Sequence, residues 1–183
     1  MVGLIVAIVI IVLLAIFVAG NYNSLVSLRN KDKDQWSQID VNLKRRNDLI
    51  PTIVETVKGY AKHEKSTLED VIKARNTFVS AKTPEEEMKA AGEITQAVSK
   101  LFALSEAYPE LKADQNFMNL QNELKETEDK ISYARQFYND TVMTYNNKVQ
   151  MFPSNIIAGM FNFKPELFFE ADESERKNVE VKF

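Results

Sequence analysis

The sequence predicts an all-α protein: an N-terminal transmembrane helix, then an elongated antiparallel bundle of three long helices with a short C-terminal helix. Three observations predict it. Residues 1–20 contain no charged or polar side chain, the apolar residues beyond them recur at steps of three and four, and the 183-residue chain holds only 5 Gly and 5 Pro. So few turn formers leave little material for the tight turns of a β-sandwich or barrel. Steps of three and four place side chains on one helical face.

Residues 1–20 read as the anchor. A helix of that length spans about 30 Å, the thickness of the hydrocarbon layer. Fourteen of the residues are Val, Ile, Leu or Phe, and together they contribute roughly -4 to -8 kcal/mol to insertion. A secretory signal would carry a basic leader, a shorter apolar core and small residues before the cleavage point. Here no Lys or Arg precedes the apolar run, and cleavage after Ala19 would put Phe17 where a small side chain is needed. The segment is therefore expected to stay attached. Arg29, Lys31 and Lys33 follow it closely, which by the positive-inside rule favours a cytoplasmic bundle.

Residues 21–152 read as the bundle. Leu25, Leu28, Trp36, Ile39, Leu43, Ile50, Ile53, Val57 and Tyr60, then Leu68, Val71 and Phe78, form one apolar stripe among charged neighbours. Such a stripe faces a core. Pro51 removes a backbone donor and crowds the preceding turn, so a kink or a restart is expected near residues 47–51. Thr83-Pro84-Glu85-Glu86-Glu87 marks the start of the next helix: Thr suits the N-cap, Pro the first position, and the acidic cluster favours the positive end of the helix dipole. Its stripe is Met88, Ala91, Ile94, Val98, Leu101 and Leu104, ended at Tyr108-Pro109. From Asp114, the residues Phe117, Leu120, Leu124, Thr127, Ile131, Ala134, Tyr138, Thr141, Tyr145 and Val149 trace a heptad seam of coiled-coil type. That helix is on the order of 55 Å long, and the first long segment is the partner able to cover it. Short connections make successive helices antiparallel.

Residues 153–183 read as a short capping helix and a charged tail. Phe152, Ile156, Ile157, Met160, Phe161, Phe163, Leu167, Phe168 and Phe169 make the segment rich in apolar and aromatic side chains, and Gly159 and Pro165 interrupt it. A short helix folded back over the bundle end accounts for this pattern. A partner or membrane contact accounts for it as well, since uncovered aromatic surface marks interaction sites.

Chemistry finds little support. Cys is absent and His63 is the single histidine, so disulfides, thiolate metal sites and cysteine nucleophiles are excluded and His63 lacks a second His or Cys for a metal shell. His63 and Glu64 point about 100 degrees apart on a helix. No Gly-rich phosphate loop and no G-x-S-x-G motif is present. No catalytic residue, cofactor or metal is expected, and Glu85-Glu86-Glu87 is explained by capping. A net charge of -3 and a pI near 5.4 give no basic surface suited to nucleic acid. Lys44-Arg45-Arg46 could meet anionic lipid or an acidic partner, although Asp40 and Asp48 stand close enough to balance it as a solvated face. The candidate partner or lipid contacts are therefore Lys44, Arg45, Arg46, Ile156, Phe161, Phe163 and Phe168.

Several stretches carry a family resemblance. Trp36-Ser37-Gln38-Ile39-Asp40-Val41, Leu43-Lys44-Arg45-Arg46-Asn47-Asp48-Leu49-Ile50-Pro51 and Val54-Glu55-Thr56-Val57-Lys58-Gly59-Tyr60 resemble the LemA family signature. Ala134-Arg135-Gln136-Phe137-Tyr138-Asn139 and Phe152-Pro153-Ser154-Asn155-Ile156-Ile157-Ala158-Gly159 extend the resemblance over nearly the whole chain. It implies a bacterial protein with a single-pass membrane segment and a soluble antiparallel helical domain, and it supplies no reaction and no catalytic residues. Some relatives resemble lipoproteins, with a cysteine before the equivalent of Tyr22-Asn23. Here Gly20 and Asn21 stand there instead. That departure fits a protein anchor, while lipoprotein relatives would hold their bundle outside the cytoplasm.

The function expected from these readings is a membrane-anchored, non-catalytic scaffold or interaction module. Its partners would be the bilayer, through residues 1–20, and another envelope protein or copies of itself. A protein that shapes or senses the membrane is the alternative.

Overall fold

A computed structural model describes residues 1–170, and they bear out the all-α class, with no strand among the described residues. The helices are α1 (Val2–Tyr60), α2 (Lys65–Ser80), α3 (Pro84–Ser105), α4 (Pro109–Lys112), α5 (Gln115–Gln150) and α6 (Ser154–Met160). The charged tail expected from the sequence lies, from residue 171 onward, outside the described residues.

The chain forms two compact units. One comprises Met1–Gln38 with Ala134–Phe168, and the other is built on Ile39–Tyr133. Long helices α1 and α5 each contribute to both.

In the first unit, Leu25 of α1 meets Tyr145 and Val149 of α5, and Ile157, Ala158 and Phe163 of the α6 segment complete the cluster. Val18, Val26 and Leu28 pack around it. The short helix expected from the sequence is thus present, with one side in a core. It stops in a Schellman turn. Asn162 adopts a left-handed φ of 56°, the Phe163 N–H reaches back to the Ala158 carbonyl at 2.9 Å, and the Asn162 N–H reaches Gly159 at 3.3 Å. Asn tolerates that conformation better than most side chains, and the turn directs Phe163 into the cluster.

In the second unit, α1 continues through Pro51 and does not restart there. Pro51 lies on the exposed side while Ile50, Ile53 and Val54 are buried. The missing N–H therefore falls on the wet face, and core packing on the opposite face holds the helix together.

The stripe that reads as continuous from Leu25 to Phe78 is divided at Ala61–Glu64. Tertiary bonds hold this corner. The Tyr60 hydroxyl donates to Asp114 Oδ2 at 2.8 Å, and the Tyr108 hydroxyl donates to Glu64 Oε1 at 3.1 Å. Beyond the corner, Leu68, Val71, Ala74 and Phe78 of α2 are buried, and α2 packs on α3.

Helix α3 starts where the capping signal puts it. Thr83 Oγ1 accepts from the Glu86 N–H at 3.2 Å, and the Glu86 carboxylate accepts from the Lys82 N–H at 2.7 Å, one residue before the position a capping box uses. Asp114 caps α5 in the same manner, accepting from the Phe117 N–H at 2.8 Å. Along α5 every seam position named above is buried or half-buried.

Candidate functional site

No His, Cys, Asp or Glu cluster able to hold a metal ion occurs among the described residues. His63 is exposed in the corner between α1 and α2. What the fold builds instead, among the described residues, is an apolar end on the first unit and one buried charge in each unit.

The apolar end begins on α1. This helix contains a stretch long and apolar enough to cross a membrane, none of it buried. Every large apolar side chain from Val2 to Phe17 is exposed. Four residues beyond Val18, the ring of Tyr22 meets Phe161 edge-on, with centroids 4.8 Å apart, and Phe163 at 5.8 Å. Arg29 places its guanidinium 4.9 Å from the Phe163 ring centre, a cation–π arrangement.

Asp32 is the buried charge of the first unit, only 4% exposed, and neither carboxylate oxygen has a hydrogen-bond partner. The nearby Thr141 hydroxyl donates to the Tyr138 carbonyl at 2.8 Å. Around it α5 holds the chain that follows α6. The Asn146 amide donates to the Glu166 carbonyl at 2.9 Å and accepts from the Glu166 N–H at 2.8 Å, while the Tyr138 hydroxyl donates to the Leu167 carbonyl at 3.0 Å. Trp36 packs edge-on against Tyr138 at 5.7 Å. Burial is the main force raising the Asp32 pKa, the Glu166 carboxylate raises it further, and Thr141 and Lys31 oppose them. Burial likewise pushes the Tyr138 hydroxyl up to about 12.

Arg46 is the buried charge of the second unit. Nη1 donates to Glu128 Oε2 at 2.7 Å and Thr95 Oγ1 at 2.9 Å, and Nη2 donates to the Ala91 carbonyl at 2.8 Å. The Thr95 hydroxyl also reaches Glu128 Oε1 at 3.2 Å. Arg46, Thr95 and Glu128 line a 440 Å³ groove together with Phe102, Lys125 and Asp129. The arrangement ties α1, α3 and α5 together.

The contacts proposed from the sequence divide by exposure. Lys44 is exposed and paired with Asp40 at 2.7 Å, and Arg45 is exposed and paired with Glu123 at 2.9 Å. Arg46 is 2% exposed, so the reading of the whole triplet as a solvated or outward-facing patch is corrected: Arg46 is an internal tie and cannot meet lipid or a partner. Phe163 is buried in the first unit's core and is likewise withdrawn from any outward contact, whereas Ile156, Phe161 and Phe168 are exposed. Sequence reading missed Asp32 and the burial of Arg46. The signal was there as two gaps in the α1 stripe, since both positions fall at helical steps from Leu28, Trp36, Leu43 and Ile50.

Residues 35–183 match the sequence model of the LemA family. The chain belongs to the LemA family. That confirms the resemblance carried by its motifs. Among relatives of this LemA chain, Protein LemA of Metamycoplasma hominis is 27% identical over 166 residues, covering 88% of this chain and 74% of the relative. Magnetosome proteins MamQ 2 and MamQ 1 of Paramagnetospirillum magneticum are each 25% identical over 175 residues, covering 81% of this chain. The LemA chain matches 64% of the length of those two relatives. None of these names states a reaction.

Proposed function

We propose that this LemA family protein is a membrane-anchored, non-catalytic interaction module, in which α1 fixes the bundle at the bilayer and the bundle engages another envelope protein or copies of itself. The observation that carries the reading is the continuity of α1. Its exposed apolar part passes into the first unit's core helix with no linker, from Val2 through Leu25. A continuous helix transmits position and orientation, which a flexible tether does not. The exposed apolar stretch requires lipid or an equivalent cover.

The test is extraction in mild detergent followed by size-exclusion chromatography with light scattering. A defined oligomer or a reproducible co-purifying envelope protein supports the module. A strictly monomeric particle that captures nothing from the membrane fraction removes it.

The charge bias of Arg29, Lys31 and Lys33 supports a cytoplasmic bundle. With no native cysteine in the sequence, a single cysteine introduced at exposed Val79 reports the side directly. Labelling by an impermeant reagent on intact cells would place the bundle outside.

A further inference from the structure

We propose that the α5–α6 turn and the outer face of α6 form a second lipid contact, seated in the interfacial layer of the same leaflet from which α1 emerges. The inference rests on the anchoring reading above and adds to it a monolayer-inserted element.

The run Val149–Phe163, VQMFPSNIIAGMFNF, contains no charged side chain, although 27% of the chain is charged. Lysines flank it on both sides, at 148 and 164. One side of this run is accounted for by the protein, because Ile157, Ala158 and Phe163 fill the first unit's core. The other side, which also carries Asn155 and Asn162, is rich in large apolar side chains and uncovered. Met151, Phe152, Ile156, Met160 and Phe161 are all exposed, Phe152 to 79% and Met160 to 68%. A short helix with large apolar side chains on both faces, only one of them packed, calls for a second apolar phase.

The same unit says which phase that is. Phe161 touches Tyr22, and Val18 packs on the α6 cluster. Phe17 is the last of the large exposed apolar side chains of the span. Tyr22 lies about 7.5 Å further along the helix axis at about 1.5 Å per residue. The interfacial layer beyond the hydrocarbon is about 5 to 7.5 Å deep on each side. Phe161 and its exposed neighbours therefore sit at the depth of the headgroups and upper acyl chains, continuous with the apolar surface of α1. Aromatic rings favour that depth. Lys148 and Lys164 can extend their ammonium groups to lipid phosphates while their stems lie along the apolar surface.

The test uses the full chain, whose lack of cysteine allows single labelling sites. Variants Ile156→Cys and Met160→Cys carry an environment-sensitive NBD fluorophore and are reconstituted into phosphatidylcholine–phosphatidylglycerol vesicles. The vesicles contain lipid bearing a nitroxide either near the headgroup or near the end of the acyl chain. Ile10→Cys in the span and Val79→Cys on the exposed side of α2 are the references. Expected are a blue-shifted emission at 156 and 160 and a greater loss of intensity with the shallow nitroxide than with the deep one. Ile10 should be quenched most by the deep nitroxide, and Val79 by neither. Emission at 156 and 160 matching Val79, with Ile10 quenched, overturns this inference and leaves the anchor standing. A blue shift without quenching means protein cover, such as a second copy, and overturns it too. An unquenched Ile10 overturns the anchor and this inference together.

Discussion

Arg46 and Asp32 hold equivalent places on one helix. Asp32 follows Leu28 by four residues and Arg46 follows Leu43 by three, so both fall on the stripe that faces a core, and both are almost completely buried. Their surroundings differ. Arg46 finds a carboxylate, a hydroxyl and a carbonyl on α3 and α5, whereas neither oxygen of Asp32 accepts a hydrogen bond. Burying a charge is costly unless it is paired or neutralised. The second unit uses pairing. In the first unit burial displaces the carboxyl equilibrium toward the neutral acid. One stripe thus contains a structural tie and a carboxyl whose pKa burial raises, told apart by what the facing helices bring.

The largest effect should come from breaking the tie on one side. Glu128→Leu strands the Arg46 guanidinium, and removal of one partner of a buried pair costs about 3 to 5 kcal/mol. The Glu128 side chain is 38% exposed, so water can partly replace it and a loss of about 3 kcal/mol is expected. Adding Arg46→Met removes the stranded charge. The double variant should then recover all but about 1 kcal/mol, since the Ala91 carbonyl still accepts from the Thr95 hydroxyl. Denaturant unfolding followed by circular dichroism in detergent measures both. A Glu128→Leu cost below about 0.5 kcal/mol would show that the pair contributes no more than an exposed one.

Asp32 should respond in the opposite direction. Asp32→Asn keeps the shape and removes the charge, so the variant should be more stable at neutral pH by about 1 kcal/mol. The pH dependence follows from the raised folded-state pKa. The favourable contribution of the Asp32 proton is fully present below the ordinary value of 3.8 and is lost as pH rises through the raised one. The advantage of Asn should therefore be absent in acid, appear above 3.8 and level off once the native carboxyl is ionised. Unfolding curves of both proteins across that range check it. An advantage that shrinks as pH rises would mean that Asp32 has a partner in solution.

Much of the architecture was legible because it is written in local chemistry. Thr83 and Glu86 cap α3 within four residues of each other, and the α5 seam repeats without a polar break other than its threonines, which tolerate burial by bonding back to their own helix. The corner at Ala61–Glu64 was not legible, for a specific reason. Val57, Ala61, Glu64, Leu68 and Val71 keep helical spacing straight through it, while the bonds that hold it come from Tyr108 and Asp114, far along the chain. Asp32 and Arg46 were hidden in another way. A pattern that assigns polar residues to solvent reads a charge on the buried stripe as a gap, and the partner that would reveal it lies on a different helix. Adjacent residues point about 100 degrees apart, so Lys44, Arg45 and Arg46 could not share one face, and the phase of Leu43 and Ile50 already selects Arg46 as the inward one.

Arg45 supplies the smallest effect and the control for the rest. It carries the same charge as Arg46, it pairs with Glu123 as Arg46 pairs with Glu128, and both pairs join α1 to α5. What separates them is the burial of Arg46 and its added bonds to Thr95 and Ala91, since the Arg45 and Glu123 side chains are 48% and 40% exposed. Arg45→Ala should cost no more than about 0.5 kcal/mol, because water already screens the pair and competes for both groups. Even that should vanish in molar salt, where the screening length falls to about 3 Å. The Glu128→Leu loss should survive the same salt because the Arg46 side chain is only 2% exposed and salt screens a buried charge far less. Equal costs at the two pairs would mean that the number of charges, and not their burial, sets the energetics, and the contrast drawn between Arg46 and Asp32 would lose its basis.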